Sequence, residues 1–434
     1  VIMERLDVKK GKFVLPNGIK YSVLVLPGLD NMRPELLAKI KTLIEKGGVV
    51  MGEAPKMSPS LQNYPNADEE VKKLAAAIWH SQPTKSQPYI KVGKGKVFTE
   101  RDLTRAFAAL NIQPDINLDN ASNILWIHRE TKDMDIYFVS NQAETYNAIS
   151  PVFRIYNRQP ELWNSLDGSI QETANFEISR AGTMVNLNLK PLESVFVVFR
   201  KGDSKQVSVV SASINGEPAI TQTKLEKGDK ISFVAEKEGS YRFTLSDGKT
   251  KNVKVNSFAK PIDLSANWVV NFSPGRDAPE YLHLEKLISW TDSPIYGVKY
   301  YSGSAVYKKD FSLPASYIGE NIRVMMDLGD VQNIADVTIN GSYLGNFWTF
   351  PMQLDITNAV KTGSNQLEIK ITNNWRNRVV GDIKYRDTFP GTSTKKEFNT
   401  IITTNVGLTG DEELMQSGLI GPVRIYQTIG YTIK

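Results

Sequence analysis

The sequence contains no cysteine and only three histidines. The absence of cysteine excludes disulfide frameworks, thiolate zinc sites and cysteine nucleophiles, although it does not identify a cellular compartment. His80, His128 and His283 do not have metal-ligand spacing, and neither HExxH nor GxSxG occurs. We therefore expect no cofactor, leave a bound metal ion open, and interpret His128, which lies within a strand pattern, as a structural histidine.

Long hydrophobic runs are also missing. The longest, at residues 22–26 and 194–199, are far shorter than the ~20 residues that span a bilayer. A net charge of +5 over 434 residues is too weak to indicate nucleic acid or an acidic membrane surface as a partner. The chain begins at Val1 with no visible signal peptide, so we consider that it is a fragment or a processed product.

The first 81 residues alternate between strand and helix patterns. The apolar run at 21–26 predicts a strand buried on both faces, and Pro34 opens a helix with apolar residues at helical spacing. Residues 49–52 predict the next strand and residues 67–79 the next helix. This β-α-β-α order predicts a parallel sheet covered by helices, and we assign residues 1–81 to a flavodoxin-like α/β domain.

The rest of the chain has mostly the period-two pattern of strands. We assign residues 82–115 to a linker with a short helix at 100–110, and residues 116–260 to a β-sandwich. Residues 261–434 predict a second all-β unit, most like a jelly roll, with a hairpin turn at Asn340-Gly341. The fold class expected is therefore multidomain α/β plus all-β.

No catalytic residue can be assigned from the sequence. Gly93 and Gly95 begin like a dinucleotide-binding loop, but the third glycine is missing and a turn is the better interpretation. Glycosidases need two carboxylates, but their separation in space cannot be obtained from one sequence. The acidic cluster at residues 411–413 is interpreted as a solvated loop.

Aromatic and amide residues are concentrated in predicted loops of the last unit. Sugars present apolar C–H faces and rims of hydroxyls, so flat aromatic rings beside Asn, Asp and Arg groups suit both features. The alternative is that the tryptophans are core or turn anchors, which we favour for Trp268 and leave open for Trp375. The candidate carbohydrate-binding residues are Trp348, Asn374, Trp375, Asn377, Arg378, Asp382, Trp290 and Tyr301.

Residues 348–357, 361–369 and 372–382 together resemble the sugar-binding jelly roll of β-galactosidase-like enzymes. They look most like the version at the C-terminus of bacterial α-L-rhamnosidases of glycoside hydrolase family 106. Further segments in the same order resemble other non-barrel parts of that family. These segments are residues 24–27, 58–61, 127–129, 135–141, 158–163, 192–200, 287–291, 299–307 and 335–341.

The resemblance implies a carbohydrate partner, namely a rhamnose-containing glycan of plant or complex polysaccharides, and a periplasmic or secreted parent protein. The large catalytic barrel of the family precedes these regions, and this chain has no segment that matches it. The function expected is the non-catalytic, carbohydrate-engaging C-terminal portion of an α-L-rhamnosidase-like hydrolase, and the resemblance allows an upstream catalytic barrel of the same parent as a further partner. The alternatives are a complete glycosidase with unrecognised carboxylates, and a structural module that braces the barrel.

Overall fold

The computed structural model describes residues 1–118, 123–202, 206–274, 277–384 and 407–433. The chain divides into two compact units, residues 1–114 and 115–434. The domain boundaries predicted from the sequence stay predictions. Within the described ranges, no helix combines the length and the apolar character that a membrane span requires.

The first unit contains a four-stranded sheet and a separate three-stranded antiparallel sheet. In the larger sheet the order is β4-β5-β7-β6, with β4, β5 and β7 parallel and β6 antiparallel. The strands are β1 (Asp7–Lys9), β2 (Lys12–Val14), β3 (Lys20–Tyr21), β4 (Leu24–Val25), β5 (Val49–Met51), β6 (Ile90–Val92) and β7 (Gly95–Phe98), and the helices are α1 (Ile2–Arg5), α2 (Pro34–Glu45), α3 (Asn66–Ile78) and α4 (Leu103–Ala109).

Local sequence explains the helices of this unit. Pro34 occupies the first turn of α2, where its missing N–H has no intrahelical partner to lose. Leu37, Ile40 and Leu43 follow at helical spacing and are fully buried. The two predicted long helices are thus confirmed as α2 and α3.

The predicted continuous strand at residues 21–26 is wrong. Tyr21 ends β3 in the three-stranded sheet, whereas Leu24 and Val25 form β4 in the parallel sheet. Tyr21 and Val25 are about half exposed, because β3 and β4 each lie at the edge of their own sheet and are not covered on both faces.

The first half of the second unit consists of short antiparallel strands around one core. A five-stranded sheet has the order β14-β13-β18-β10-β9, and β10 alternates strictly between buried and half-buried residues. The strands are β8 (Ile116–Asn117), β9 (Ile124–Glu130), β10 (Met134–Asn141), β11 (Asn147–Ile149), β12 (Val152–Phe153), β13 (Pro160–Asn164), β14 (Ile170–Glu172), β15 (Phe176–Ser179), β16 (Gly182–Val185), β17 (Leu187–Leu189), β18 (Ser194–Arg200), β19 (Val209–Ile214), β20 (Glu217–Ala219), β21 (Thr223–Glu226), β22 (Lys230–Ala235), β23 (Gly239–Leu245) and β24 (Thr250–Val255).

The second half of this unit is built from two six-stranded antiparallel sheets. Its elements are β25 (Ile262–Asp263), β26 (Ala266–Phe272), β27 (Tyr281–Lys286), a 3₁₀ turn (Trp290–Asp292), α5 (Tyr296–Lys299), β28 (Ser304–Leu313), a second 3₁₀ turn (Ala315–Tyr317), β29 (Ile322–Asp327), β30 (Asp330–Gln332), β31 (Ile334–Ile339), β32 (Ser342–Phe347), β33 (Gln353–Asp355), β34 (Gly363–Thr372), α6 (Arg376–Lys384), β35 (Gly418–Gly421) and β36 (Arg424–Thr432).

One sheet has the strand order β27-β26-β28-β34-β31-β32, and the other contains β21-β22-β36-β29-β33 with β25 attached to β36. Residues from both sheets, including Trp268, Tyr307 and Met326, bury their side chains in one hydrophobic core. Strand β36 pairs with β22, so β21 and β22 of the preceding half extend this sheet.

The predicted hairpin is confirmed between β31 and β32. Asn340 and Gly341 both have positive φ (50° and 80°), the left-handed conformation that two-residue hairpin turns require. Taken over the described residues, the structure is mostly β-sheet with few helices, as the all-β pattern after residue 123 predicts.

Candidate functional site

In the sheet with the order β27-β26-β28-β34-β31-β32, four strands begin or end side by side at one edge of the sandwich. Thr372, which ends β34, is paired with Ser304 at the start of β28 and with Ile334 at the start of β31. Phe347, which ends β32, is paired with Ala335, the second residue of β31. Since neighbouring strands are about 4.8 Å apart, the ends of β34 and β32 lie roughly 10 Å from each other at one edge of the sandwich.

Trp375 and Trp348 follow these two strand ends directly. The side chain of Trp375 is 50% exposed and that of Trp348 is 61% exposed. Trp375 is three residues beyond Thr372, and Trp348 is the first residue after Phe347. The register therefore puts the two exposed indoles at the same end of the sheet.

Hydrogen bonds fix the backbone around Trp375. The backbone N–H of Asn374 donates to the side-chain oxygen of Asn333 (3.3 Å), and the Asn374 side chain accepts from the backbone N–H of Arg376 (3.0 Å). The carbonyl of Trp375 accepts from the Val379 N–H (3.0 Å), and this hydrogen bond closes the first turn of α6. Asn374 is itself exposed, so its amide can face a ligand beside the indole.

A third exposed ring extends the same loop region. Phe350 is 43% exposed, two residues beyond Trp348, while Phe347 packs against the core and anchors the segment. Neither Phe350 nor Asn333 is among the residues predicted from the sequence. Their signals were the Phe-Trp-Thr-Phe run at 347–350 and an asparagine directly before a strand.

Trp290 and Tyr301, by contrast, lie in the core and cannot contact a ligand at the surface. The Trp290 indole N–H donates to the Tyr307 hydroxyl (2.6 Å), and the Tyr301 hydroxyl donates to the Ser304 carbonyl (2.8 Å). The two rings pack edge to face with centroids 5.3 Å apart. Gly418 makes this packing possible, because a Cβ there would lie 2.7 Å from the Trp290 nitrogen.

Asn377 also has a structural role. It is buried, its side-chain N–H donates to the Ser417 hydroxyl (3.0 Å), and its oxygen accepts from the Met415 N–H (2.9 Å). Asn377 thus holds the segment before β35 against α6, and its amide has no surface left to offer a sugar.

Arg378 and Asp382 form a buried ion pair on α6. The Arg378 Nε lies 3.0 Å from Asp382 Oδ1, and its Nη1 lies 3.1 Å from Asp277 Oδ2. Burial raises the pKa of Asp382 above its ordinary value, even though the Arg378 guanidinium acts in the opposite direction. Burial, with the nearby Asp382 carboxylate, also raises the pKa of Tyr296 to about 12. This network fixes α6, and through it the position of Trp375.

The structure therefore separates the eight candidate residues into two groups. Trp348, Asn374 and Trp375 lie exposed at one sheet end. The other five, Trp290, Tyr301, Asn377, Arg378 and Asp382, are buried and hold the loops in place.

The histidine network and the acidic groups offer no metal site in the described ranges. His128 lies between two carboxylates, with its Nδ1 3.1 Å from Asp115 and its Nε2 3.0 Å from Asp135. Its ring stacks on Tyr137 with centroids 4.1 Å apart, which fits the structural role predicted for it. No group of three His, Asp or Glu side chains there converges to hold a metal ion.

An antiparallel sandwich with exposed aromatic and amide side chains on the loops at one end can contact the apolar faces and the hydroxyl rims of a sugar. Comparison with protein families gives two matches. Residues 296–419 match the family model described as a glycosyl hydrolase 2 galactose-binding domain-like domain. Residues 1–178 match the family model of glycoside hydrolase family 106, described as alpha-L-rhamnosidase.

Two longer proteins are similar to nearly the whole chain. The solved rhamnosidase from Novosphingobium sp. PP1Y is 29% identical with a TM-score of 0.72, and the match covers 98% of this chain and 35% of that one. A curated protein of Formosa agariphila, provisionally named a beta-glucuronidase, is 26% identical over 97% of this chain and 52% of its own length. The chain thus spans about half of one relative and about a third of the other.

The resemblance to α-L-rhamnosidases is confirmed by these matches. Residues 1–178 are thus similar to the α-L-rhamnosidase family of glycoside hydrolases, and residues 296–419 are similar to a galactose-binding-like domain.

Proposed function

We propose that the chain is the non-catalytic, carbohydrate-engaging portion of a longer α-L-rhamnosidase-like glycoside hydrolase. A rhamnose-containing glycan of plant or complex polysaccharides is its ligand, and a catalytic barrel of the same parent lies outside this chain. The proposal includes a flavodoxin-like α/β domain, a jelly-roll C-terminal domain, and a periplasmic or secreted location of the parent. The observation that carries it is the pair of exposed indoles, Trp348 and Trp375, at one sheet end.

The spacing of the two strand ends leaves room for a pyranose between the loops that follow them. The strand ends that carry Trp348 and Trp375 are roughly 10 Å apart, since one strand lies between them. A sugar ring between two indoles presents an apolar C–H face to each, while its hydroxyls reach the amide of Asn374 at the rim. Phe350 extends the apolar surface by one further ring for a neighbouring sugar unit.

Removing one indole tests this site. Stacking on an aromatic ring is worth roughly 1–3 kcal/mol, by analogy with bases on aromatic side chains. We expect Trp375→Ala and Trp348→Ala each to weaken binding of a rhamno-oligosaccharide by about one to two factors of ten, measured by isothermal titration calorimetry. Trp126→Ala is the matched control, because Trp126 is 39% exposed but lies on β9, far along the chain.

The alternatives predict other results. If the chain is a complete glycosidase, it releases p-nitrophenol from an aryl rhamnoside, and one carboxylate variant abolishes that turnover. If it is a purely structural module, neither turnover nor glycan binding is measured. If both tryptophan variants still bind the glycan, the proposed site is contradicted, but the proposal that the chain binds a carbohydrate is not.

A further inference from the structure

The outward face of the five-stranded sheet carries a continuous apolar row across all five strands. The solvent face of an antiparallel sheet is normally polar, so this row is unusual. Cross-strand pairing puts one residue from each strand in the row. We call it the aromatic row, and its members, in strand order β9, β10, β18, β13 and β14, are Ile127, Phe138, Phe196, Trp163 and Ile170.

The ends of the aromatic row are well exposed and its centre is half-buried. Ile127 is 46% exposed and Ile170 is 53% exposed, and Leu125, two residues before Ile127 on the same face, is 61% exposed. The rings of Phe138 and Phe196 are in contact, with centroids 5.0 Å apart. These rings form one apolar surface rather than scattered single contacts.

The aromatic row is self-complementary. A two-fold axis that runs along the central strand β18 brings β9 of one copy opposite β14 of the other, and β10 opposite β13. Ile127 then faces Ile170, Phe138 faces Trp163, and Phe196 faces its own copy. Each pair is apolar on both sides, which is what an isologous interface requires.

One pair of charges beside the aromatic row follows the same symmetry. The next row on this face has Arg129 at the β9 end and Glu172 at the β14 end. The same axis puts Arg129 of one copy opposite Glu172 of the other, twice per dimer. Glu161, between them, is already held within its own chain, because it accepts from the Trp163 indole (2.7 Å) and from Arg200 (2.6 Å).

The area of the face is sufficient for a weak, specific dimer. Five strands about 4.8 Å apart and about six residues long cover roughly 500 Å² per copy. Two copies bury about 1,000 Å², at the lower limit of specific interfaces. Sheets stacked face to face at about 10 Å also tolerate the twist between them.

We propose that the outward face of this sheet binds a second copy of the same chain, sheet on sheet, through the aromatic row and the Arg129–Glu172 pairs. The proposal does not depend on the carbohydrate function. The other possible occupant, a further domain of a longer polypeptide, is one outcome of the test.

Analytical ultracentrifugation of the chain from about 1 µM to about 200 µM detects a dimer that dissociates in the micromolar range. We expect the sedimenting mass to rise from the monomer value of 48.5 kDa towards twice that value. Phe196→Glu should abolish the dimer, because it puts two carboxylates at the centre of the interface. Ile318→Glu is the control: Ile318 is 47% exposed outside this sheet, and the variant should dimerise like the wild type.

Charge reversal tests the geometry without disturbing the core. Arg129→Glu and Glu172→Arg should each weaken dimerisation about tenfold or more, since like charges then face each other twice. The double variant, with both Arg129→Glu and Glu172→Arg, should restore the dissociation constant of the wild-type dimer. A wild type that stays monomeric at the highest concentration, as a face reserved for another domain would make it, overturns the proposal. The proposal is also overturned if the Phe196→Glu variant still forms the dimer, or if the double charge-reversal variant does not recover wild-type dimerisation.

Discussion

Replacing Arg378 by methionine removes the cation that pairs with Asp382 on α6. The Arg378 side chain is 4% exposed and that of Asp382 is 7% exposed, so water cannot replace the lost partner. Methionine keeps most of the length and the apolar stem. The carboxylate of Asp382 must then either stay ionised without its partner, which costs about 3–5 kcal/mol, or take up a proton.

Protonation of Asp382 sets an upper limit on the loss of folding stability, and this limit depends on pH. Protonating a carboxyl with an ordinary pKa of 3.8 costs about 1.4 kcal/mol for each pH unit above that value. The limit is therefore about 4 kcal/mol at pH 7 and about 1.6 kcal/mol at pH 5. In the variant the folded pKa of Asp382 lies above the unfolded one, so the folded state binds the proton more tightly and stability is recovered as the pH falls.

We expect Arg378→Met to lower the free energy of unfolding by about 3–4 kcal/mol at pH 7 and by less than about 2 kcal/mol at pH 5. Urea unfolding followed by tryptophan fluorescence measures both values. Arg323→Met is the matched control, because Arg323 is exposed on β29 and should change stability by less than about 0.5 kcal/mol. Adding Asp382→Asn to Arg378→Met should recover most of the loss at pH 7. A loss that is equal at the two pH values would refute the buried-charge explanation.

Helix α6 and the start of the second unit give two further predictions. A Cβ on Gly381 would lie 2.6 Å from ring carbons of Tyr300. We therefore expect Gly381→Ala to lower the urea midpoint and to reduce the free energy of unfolding by about 1–3 kcal/mol. Adding Tyr300→Ala should relieve this loss in the double variant. Burial would raise the pKa of Asp115, but hydrogen bonds from Arg154 and His128 bring that pKa below its ordinary value of 3.8. The stability that Asp115 contributes is therefore present above pH 3.8 and is lost as the pH falls through the lower pKa of the folded state. In thermal melts, the wild type should be more stable than Asp115→Asn at pH 7, and the two melting temperatures should converge in acid.

Local interactions explain what could be predicted from the sequence. Pro34 and the apolar residues after it define α2, because a first-turn proline and helical spacing act within a few residues. Asn340-Gly341 defines a hairpin, because these residues accept positive φ at little cost. Where the signal was apolar character alone, as at residues 21–26, the prediction was wrong, because apolar residues also occur on edge strands.

The candidate site shows what only the tertiary structure could decide. The sequence by itself predicted the all-β pattern of the last unit and the aromatic residues in its loops. It could not distinguish Trp290, which is buried, from Trp375, which is half exposed, because both lie among polar neighbours in the sequence. Burial depends on which strands pair, and the ends of β32 and β34 share one edge only through the register of β31 between them. That register results from packing alternate side chains of all three strands into one core, and packing between distant segments cannot be deduced from local sequence.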